Sequence, residues 1–271
     1  MEWLVEVETW QNNSSSLWLD PGDQPGDPGL SPAASAAPKK SRKPRPTPSN
    51  AVELRGEPSS CGARFVAIAG NIGAGKSTMT KLLADSFGIE PFYEPNDNNP
   101  YLKDFYANMR QYGFHSQMYF LSAKFRAHLE LGKLLVAEPR KVFVQDRTIY
   151  EDAEIFARTL HTTGIMSERD FATYQSMYCA IRDSLPKPDL LIYLRCSLKG
   201  LHNRIAKRGR PEEQAIDPKY LKSLQDSYDA WFERYDLGPT LVIETDRLDY
   251  LRNWVDRAEL EGALAQIVAR S

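Results

Sequence analysis

Residues 64–78 read "RFVAIAGNIGAGKST", a short apolar run followed by Gly70, four residues, and Gly75-Lys76-Ser77. A buried strand feeding a glycine turn that opens a helix is the phosphate-loop arrangement. Across Gly70, Asn71, Ile72, Gly73, Ala74 and Gly75 the backbone N–H groups can approach phosphate oxygens closely, and the helix N-terminus beginning at Lys76, Ser77 and Thr78 adds a favourable dipole. Lys76 would reach the β- and γ-phosphates, and Ser77 would place its hydroxyl on Mg²⁺. These residues read as a site for an NTP and its Mg²⁺. The loop alone leaves three uses for the phosphate open: transfer to a substrate, hydrolysis that moves something, or retention as a switch.

Outward from this loop, short β-rich runs alternate with helical patterns. "FVAIA" (65–69), "PFYE" (91–94), "VFVQD" (142–146), "LLIYL" (190–194) and "TLVIE" (240–244) lack clean polar alternation, as strands covered on both faces do. Between them, "STMTKLLADSF" stops at Gly88, "HSQMYFLSAKFRAHLEL" stops at Gly132, and "SERDFATYQSMYCAIRDSL" opens with Ser167 and Asp170 at capping-box spacing. A further helix runs from near Ser197 to Gly209, and a long one starts with Pro218 at its first position. Strands alternating with helices imply right-handed crossovers. The expectation is one α/β domain over residues 63–271, a P-loop NTPase fold with a five-stranded parallel sheet and helices on both faces.

Residues 1–62 have a different texture. Nine of the eighteen prolines fall between Pro21 and Pro58, and large apolar residues almost vanish after Leu30, so this stretch reads as a disordered Pro-rich extension. Its cluster Lys39, Lys40, Arg42, Lys43 and Arg45 reads first as a solvated linker and second as a localisation or polyanion patch. A formal net charge of −2 gives no general attraction to nucleic acid or to an anionic membrane. No apolar stretch approaches the ~20 residues of a membrane span. The acidic start "MEWLVEVETW" is unlike a secretory leader, and the first arginine is Arg42, unlike a mitochondrial presequence. Three cysteines without a CxxC pair argue against a disulfide framework. The four histidines lack zinc-ligand spacing, and a cytoplasmic location fits best.

Two further groups carry chemistry. In "NRIAKRGRPEEQ", Arg204 and Arg208 stand one helical turn apart and Arg210 follows Gly209, which suits a lid closing on a transferring phosphoryl group. Complementing a helix C-terminus is the alternative use of such cations. Glu94 ends the second strand, and Asp146-Arg147 ends the third. Ligands in such sheets lie beyond the carboxyl ends of strands, so both ends point at the cleft beside the phosphate loop. Asp146 could ligand Mg²⁺ with Ser77, Arg147 could neutralise phosphate charge, and Asp152 falls about two turns into the next helix.

At this point the chain resembles the deoxynucleoside kinases, above all bacterial deoxyadenosine, deoxyguanosine and deoxycytidine kinases. The stretches that carry the likeness are "GNIGAGKST", "EPNDNNPYLKDFY", "FHSQMYFLSAKF", "QDRTIYEDAEIFA", "MSERDFATY", "PDLLIYL" and "RGRPEEQ", in the family's order across residues 64–250. The resemblance implies transfer of the γ-phosphoryl of Mg-ATP to the 5′-hydroxyl of a deoxynucleoside, deoxyadenosine favoured. It implies Glu94 as general base, with Asp146 near the metal and sometimes assigned that role instead. It further implies Tyr106 and Glu213 at the sugar 3′-hydroxyl, and Gln117 and Asp152 at the nucleobase edge. Arg204, Arg208 and Arg210 match the lid, while Asp249 and Tyr250 match a loop at the donor base. Lys124 stands where an arginine usually flanks the base pocket, and lysine lacks the planar two-pronged donor geometry of arginine. A homodimer is also implied.

Two other readings use parts of the same pattern. A thymidylate-kinase-like enzyme shares the phosphate loop, the Asp-Arg strand end and a basic lid. Its charged acceptor would call for a cation near Glu94, where "FYEPNDNNPYL" offers none before Lys103. A non-enzymatic NTP switch would bind nucleotide without nucleoside-dependent turnover, and it leaves Glu94, Gln117 and Glu213 without a task.

Overall fold

A computed structural model describes residues 51–57, 62–92, 99–248, 250 and 253–268. Six strands form one sheet: β1 (Val52–Arg55), β2 (Phe65–Ala69), β3 (Glu90–Phe92), β4 (Phe143–Asp146), β5 (Leu190–Arg195) and β6 (Thr240–Glu244), in the order β1-β6-β5-β2-β4-β3. Five of them run parallel, and β1 pairs antiparallel with β6. The sheet is therefore mixed and six-stranded, where a five-stranded parallel one was expected. The additional strand lies inside the stretch read as a disordered extension. Its sequence, VELR, is mostly exposed and gives no core signal, so pairing with β6 is what makes it a strand.

The other five strands follow from burial. Every residue of β2 is buried, as are the first five of β5 and all of β4, because helices cover both faces. The start of β2 is pinned by Asp189, whose Oδ2 accepts from the N–H groups of Arg64 (2.9 Å) and Phe65 (2.8 Å). β2 lies between β4 and β5, with β3 and β4 built on one side of it and β5 and β6 on the other. The crevice at its carboxyl end is the position that such sheets offer to a ligand.

Helices α1 (Lys76–Phe87), α2 (Leu102–Ala107) and α3 (Met109–Ala137) precede β4. Helix α3 runs straight through Gly132, where a stop was expected. Leu131 on one side and Leu134 and Leu135 on the other pack with Phe65 and Phe143, which outweighs the ~1 kcal/mol a mid-helix glycine costs. Helix α4 covers 149–162: one turn, Ile149–Glu151, a π-helical segment, Asp152–Ala157, and a closing turn, Arg158–Thr162. Helix α5 (Glu168–Arg182) starts where Ser167 Oγ accepts from Asp170 N at 3.1 Å. Helix α6 (Leu198–Arg208) ends on Gly209 at φ 70°, a 3₁₀ turn spans Pro211–Ala215, α7 covers Pro218–Phe232, and α8 covers Trp254–Val268. Among the described residues no helix is long and apolar enough to cross a membrane.

Candidate active site

The phosphate loop adopts the backbone that its glycines permit. Gly75 sits at φ 103° as the cap of α1, a conformation L side chains rarely adopt. A Cβ on Gly70 would stand 2.9 Å from the Leu194 carbonyl oxygen and 3.0 Å from the Ala74 Cβ, so the loop lies tight against β5. The Lys76 ammonium donates to Gly70 O (2.8 Å) and Asn71 O (3.2 Å), folded over its own loop. Asn71 serves the scaffold: its Nδ2 donates to Leu221 O of α7 and its Oδ1 accepts from Ile72 N.

Asp146, at the end of β4, accepts from Ser77 Oγ at 2.6 Å through Oδ2. A hydroxyl and a carboxylate at the mouth of a phosphate loop are hard oxygen donors of the kind Mg²⁺ takes, with phosphates and water completing its shell. Among the described residues no group of three His, Cys, Asp or Glu side chains is arranged to hold a metal by itself. Arg147 follows at φ 58°, a left-handed backbone unusual outside glycine. Its guanidinium lies over the Phe156 ring, 4.3 Å from the centroid, with Nε 3.4 Å from Glu151 Oε1.

Glu151 was not singled out in the sequence, yet it joins three segments. It is fully buried; its Oε1 accepts from Gly70 N at 3.3 Å and meets the Tyr228 hydroxyl, which also lies 2.8 Å from Gly70 O. Burial raises its pKa, with the Arg147 and Lys76 cations opposing the rise. Neither Glu151 nor Tyr228 belongs to a spacing pattern that would have marked it. Their partnership arises only because α7 docks beside the loop.

A cavity of about 760 Å³ opens onto these groups. It is lined by Ile72, Gly73, Gly75, Lys76, Ser77 and Thr78 together with Arg204 and Tyr250. Tyr106, Gln117 and Asp152 line it as well, and so do Asp146, Arg147, Arg208, Arg210 and Glu213. Asp152 comes one turn into α4, where two were expected. Gln117 is 3% exposed, and its Oε1 accepts no hydrogen bond from the described residues. Lys124 stands back from the cavity wall, paired with Asp152. Thr245, Asp246, Leu248, Lys207, Phe120 and Tyr220 also line the cavity, and sequence spacing had not marked them. Gly70, Asn71 and Ala74 are not among the residues that line it. Glu94 and Asp249 lie outside the described residues; β3 is described as far as Phe92, which pairs with Gln145, the residue before Asp146.

The three arginines expected to act together divide. Arg204 is fixed to the body: Nη1 donates to Ala74 O and Thr245 Oγ1, both at 2.9 Å, and Nη2 to Thr245 O at 2.7 Å. Arg208 pairs with Glu213 through Nη2, and Arg210 Nη1 stands 3.5 Å from the same carboxylate.

A cleft lined by both a phosphate loop and a buried amide has room for more than one ligand group. The model of the deoxynucleoside kinase family matches residues 66–269. The deoxyadenosine/deoxycytidine kinase of Bacillus subtilis (strain 168) is 36% identical over 207 residues, covering 76% of this chain and 92% of that protein. The deoxyguanosine kinase of Lactobacillus johnsonii is 38% identical over 213 residues, covering 76% and 91%. The solved deoxyadenosine kinase of M. mycoides with bound dCTP matches with a TM-score of 0.64 at 30% identity, over 75% of this chain and 100% of that one. Family match, relatives and cleft agree: the chain belongs to the deoxynucleoside kinase family.

Proposed function

We propose that this kinase transfers the γ-phosphoryl of ATP to the 5′-hydroxyl of a deoxynucleoside, taking deoxyadenosine first and deoxyguanosine or deoxycytidine after it. The observation that carries this is one cavity lined by both the phosphate loop and the set Tyr106, Gln117 and Asp152. In M. mycoides deoxyadenosine kinase a dATP-bound structure is known, at 29% identity and a TM-score of 0.62, which supports an adenine nucleotide as ligand of this fold.

In this reading Lys76 and the loop N–H groups hold the donor phosphates, and Ser77 with Asp146 would hold Mg²⁺. The metal, when bound, neutralises charge on the phosphate oxygens. Glu94 takes the proton of the 5′-hydroxyl. Arg147, anchored on Glu151 and Phe156, faces the transferred group, while Arg208 and Arg210 form a lid that leaves Glu213 to meet phosphate. Phosphoryl transfer needs mainly positioning and charge stabilisation, and this set supplies both. Tyr106 and Glu213 flank the sugar. Asp249 and Tyr250 flank the donor base, and two chains associate as a homodimer.

The base preference rests on Gln117. A carboxamide can both accept from an exocyclic amine and donate to a ring nitrogen, a pairing well suited to adenine. Asp152 beside it accepts from an amine and repels a carbonyl. A panel of deoxynucleosides with Mg-ATP tests the proposal, scored by the 5′-monophosphate formed. Deoxyadenosine should give the highest kcat/KM; turnover only with deoxynucleoside monophosphates, or none at all, would overturn it.

A further inference from the structure

The strand β1 lies outside the family match, which begins at residue 66. It nevertheless reaches the cavity through an unbroken series of contacts. Ala51 is 3% exposed, and its carbonyl accepts from the N–H of Glu244, the last residue of β6, at 2.8 Å. The next residue, Thr245, donates from its N–H to Arg195 O at 2.9 Å and accepts twice from Arg204, which in turn donates to Ala74 O in the phosphate loop. Thr245, Asp246 and Tyr250 line the phosphate-loop end of the cavity, and a Cβ on Gly75 would stand 3.4 Å from the Tyr250 hydroxyl. At its other end β1 is held by Arg55, whose guanidinium lies 4.8 Å from the centroid of the Phe232 ring and 3.7 Å from Glu233.

We infer that the backbone of Ala51 and Glu53, by pairing with β6, positions the donor-nucleotide site. By pairing with β6 they fix Glu244 and Thr245, and Thr245 then holds Arg204 against the phosphate loop. Without β1, β6 would be the sheet edge, and its last residue would lose its N–H partner just where the donor loop begins. The strand adds little core, since Glu53, Leu54 and Arg55 are exposed. Its effect is therefore local to the donor end rather than spread over the fold. This inference rests on the reading of that end as the ATP site.

The antiparallel register supplies a test within the full chain. Ala51 and Glu244 form a hydrogen-bonded pair, so the Glu53–Val242 pair is hydrogen-bonded and the Leu54–Leu241 pair is not. Glu53→Pro removes an N–H that faces β6, whereas Leu54→Pro removes one that faces the open edge, where proline is tolerated. Calorimetric titration with ATP should give a Kd raised roughly two- to tenfold in Glu53→Pro, the worth of about one backbone hydrogen bond, and an unchanged Kd in Leu54→Pro. The deoxynucleoside KM should stay constant in both. An unchanged ATP Kd in Glu53→Pro, or a deoxynucleoside KM that rises equally, overturns the inference. Tyr250→Ala separates this failure from failure of the underlying reading: if Tyr250→Ala leaves the ATP Kd unmoved, that end of the cavity is not the donor site.

Discussion

Lys124 Nζ sits 2.8 Å from Asp152 Oδ2, and the two side chains are 1% and 4% exposed. A fully desolvated pair of this kind fixes a carboxylate that lines the cavity. Removing one partner strands the other charge, at a cost of about 3–5 kcal/mol. Lys124→Met is therefore expected to lower unfolding free energy by roughly 3 kcal/mol, and adding Asp152→Asn should recover part of the loss. Urea unfolding of the two single variants and the double variant measures the coupling. Purely additive losses would show that the pair is not coupled.

The Ser77–Asp146 contact separates two candidate bases. Glu94→Gln keeps shape but removes a proton acceptor, so kcat should fall on the order of 10²–10⁴-fold with Mg-ATP binding retained. Asp146→Asn should instead raise the Mg²⁺ concentration needed for half-maximal rate. Titrating Mg²⁺ against both variants checks this: excess metal should restore part of the Asp146→Asn rate and none of the Glu94→Gln rate. The opposite pattern would make Asp146 the base.

Arg208 is paired with Glu213 here, and in the proposed reaction it moves to phosphate. Arg208→Ala should lower kcat by about 10²-fold, because it removes a cation aimed at charge that develops in the transition state. Deoxynucleoside KM should change little, as steady-state kinetics at saturating ATP would reveal. A change confined to that KM would place Arg208 at the acceptor rather than the donor.

His128 is buried between Phe65 and Tyr150, with Nδ1 3.1 Å from Lys124 O. Burial, with help from the Lys124 charge, pushes its pKa down to about 4 from 6.5. The unfolded chain therefore binds a proton that the folded one refuses between these values. Stability is complete above pH 6.5 and declines as pH falls toward 4, by up to about 3 kcal/mol. Replacing it in His128→Gln should flatten the stability profile in that window, measured by urea midpoints at pH 7, 6 and 5. An equally steep profile would assign the loss to other groups.

How much of this could be read from the sequence depended on whether the signal was local. The strands β2, β4, β5 and β6 announce themselves because helices cover both faces, so apolar runs without polar alternation lead up to their carboxyl ends. The phosphate loop does so because close backbone approach demands glycine at fixed spacing. Strand β1 escapes such reading, since VELR is mostly exposed and its strand character comes from a partner at the far end of the chain. The expected helix stop at Gly132 fails because packing of Leu131 against Phe65 and Phe143 overrides a weak propensity. Lys124 could be named as a departure from arginine, but its withdrawal from the cavity wall follows from pairing with Asp152, a three-dimensional fact. The division of Arg204 from Arg208 is another: helical spacing puts them on one face, and only their partners tell them apart.

The meeting of Gly70, Glu151 and Tyr228 also has a consequence for how the molecule comes into being on the ribosome. Gly70 is 81 residues from Glu151, and Glu151 is 77 from Tyr228. The nucleotide-binding loop is made before its supporting carboxylate, and that carboxylate acquires its last partner only when α7 emerges. Contacts of such long sequence separation form late, after the intervening chain has been ordered. A nascent chain released before residue 228 would carry the whole phosphate-loop motif without the support that sets its geometry. Nucleotide capture would then wait for the emergence of α7 rather than of the loop itself.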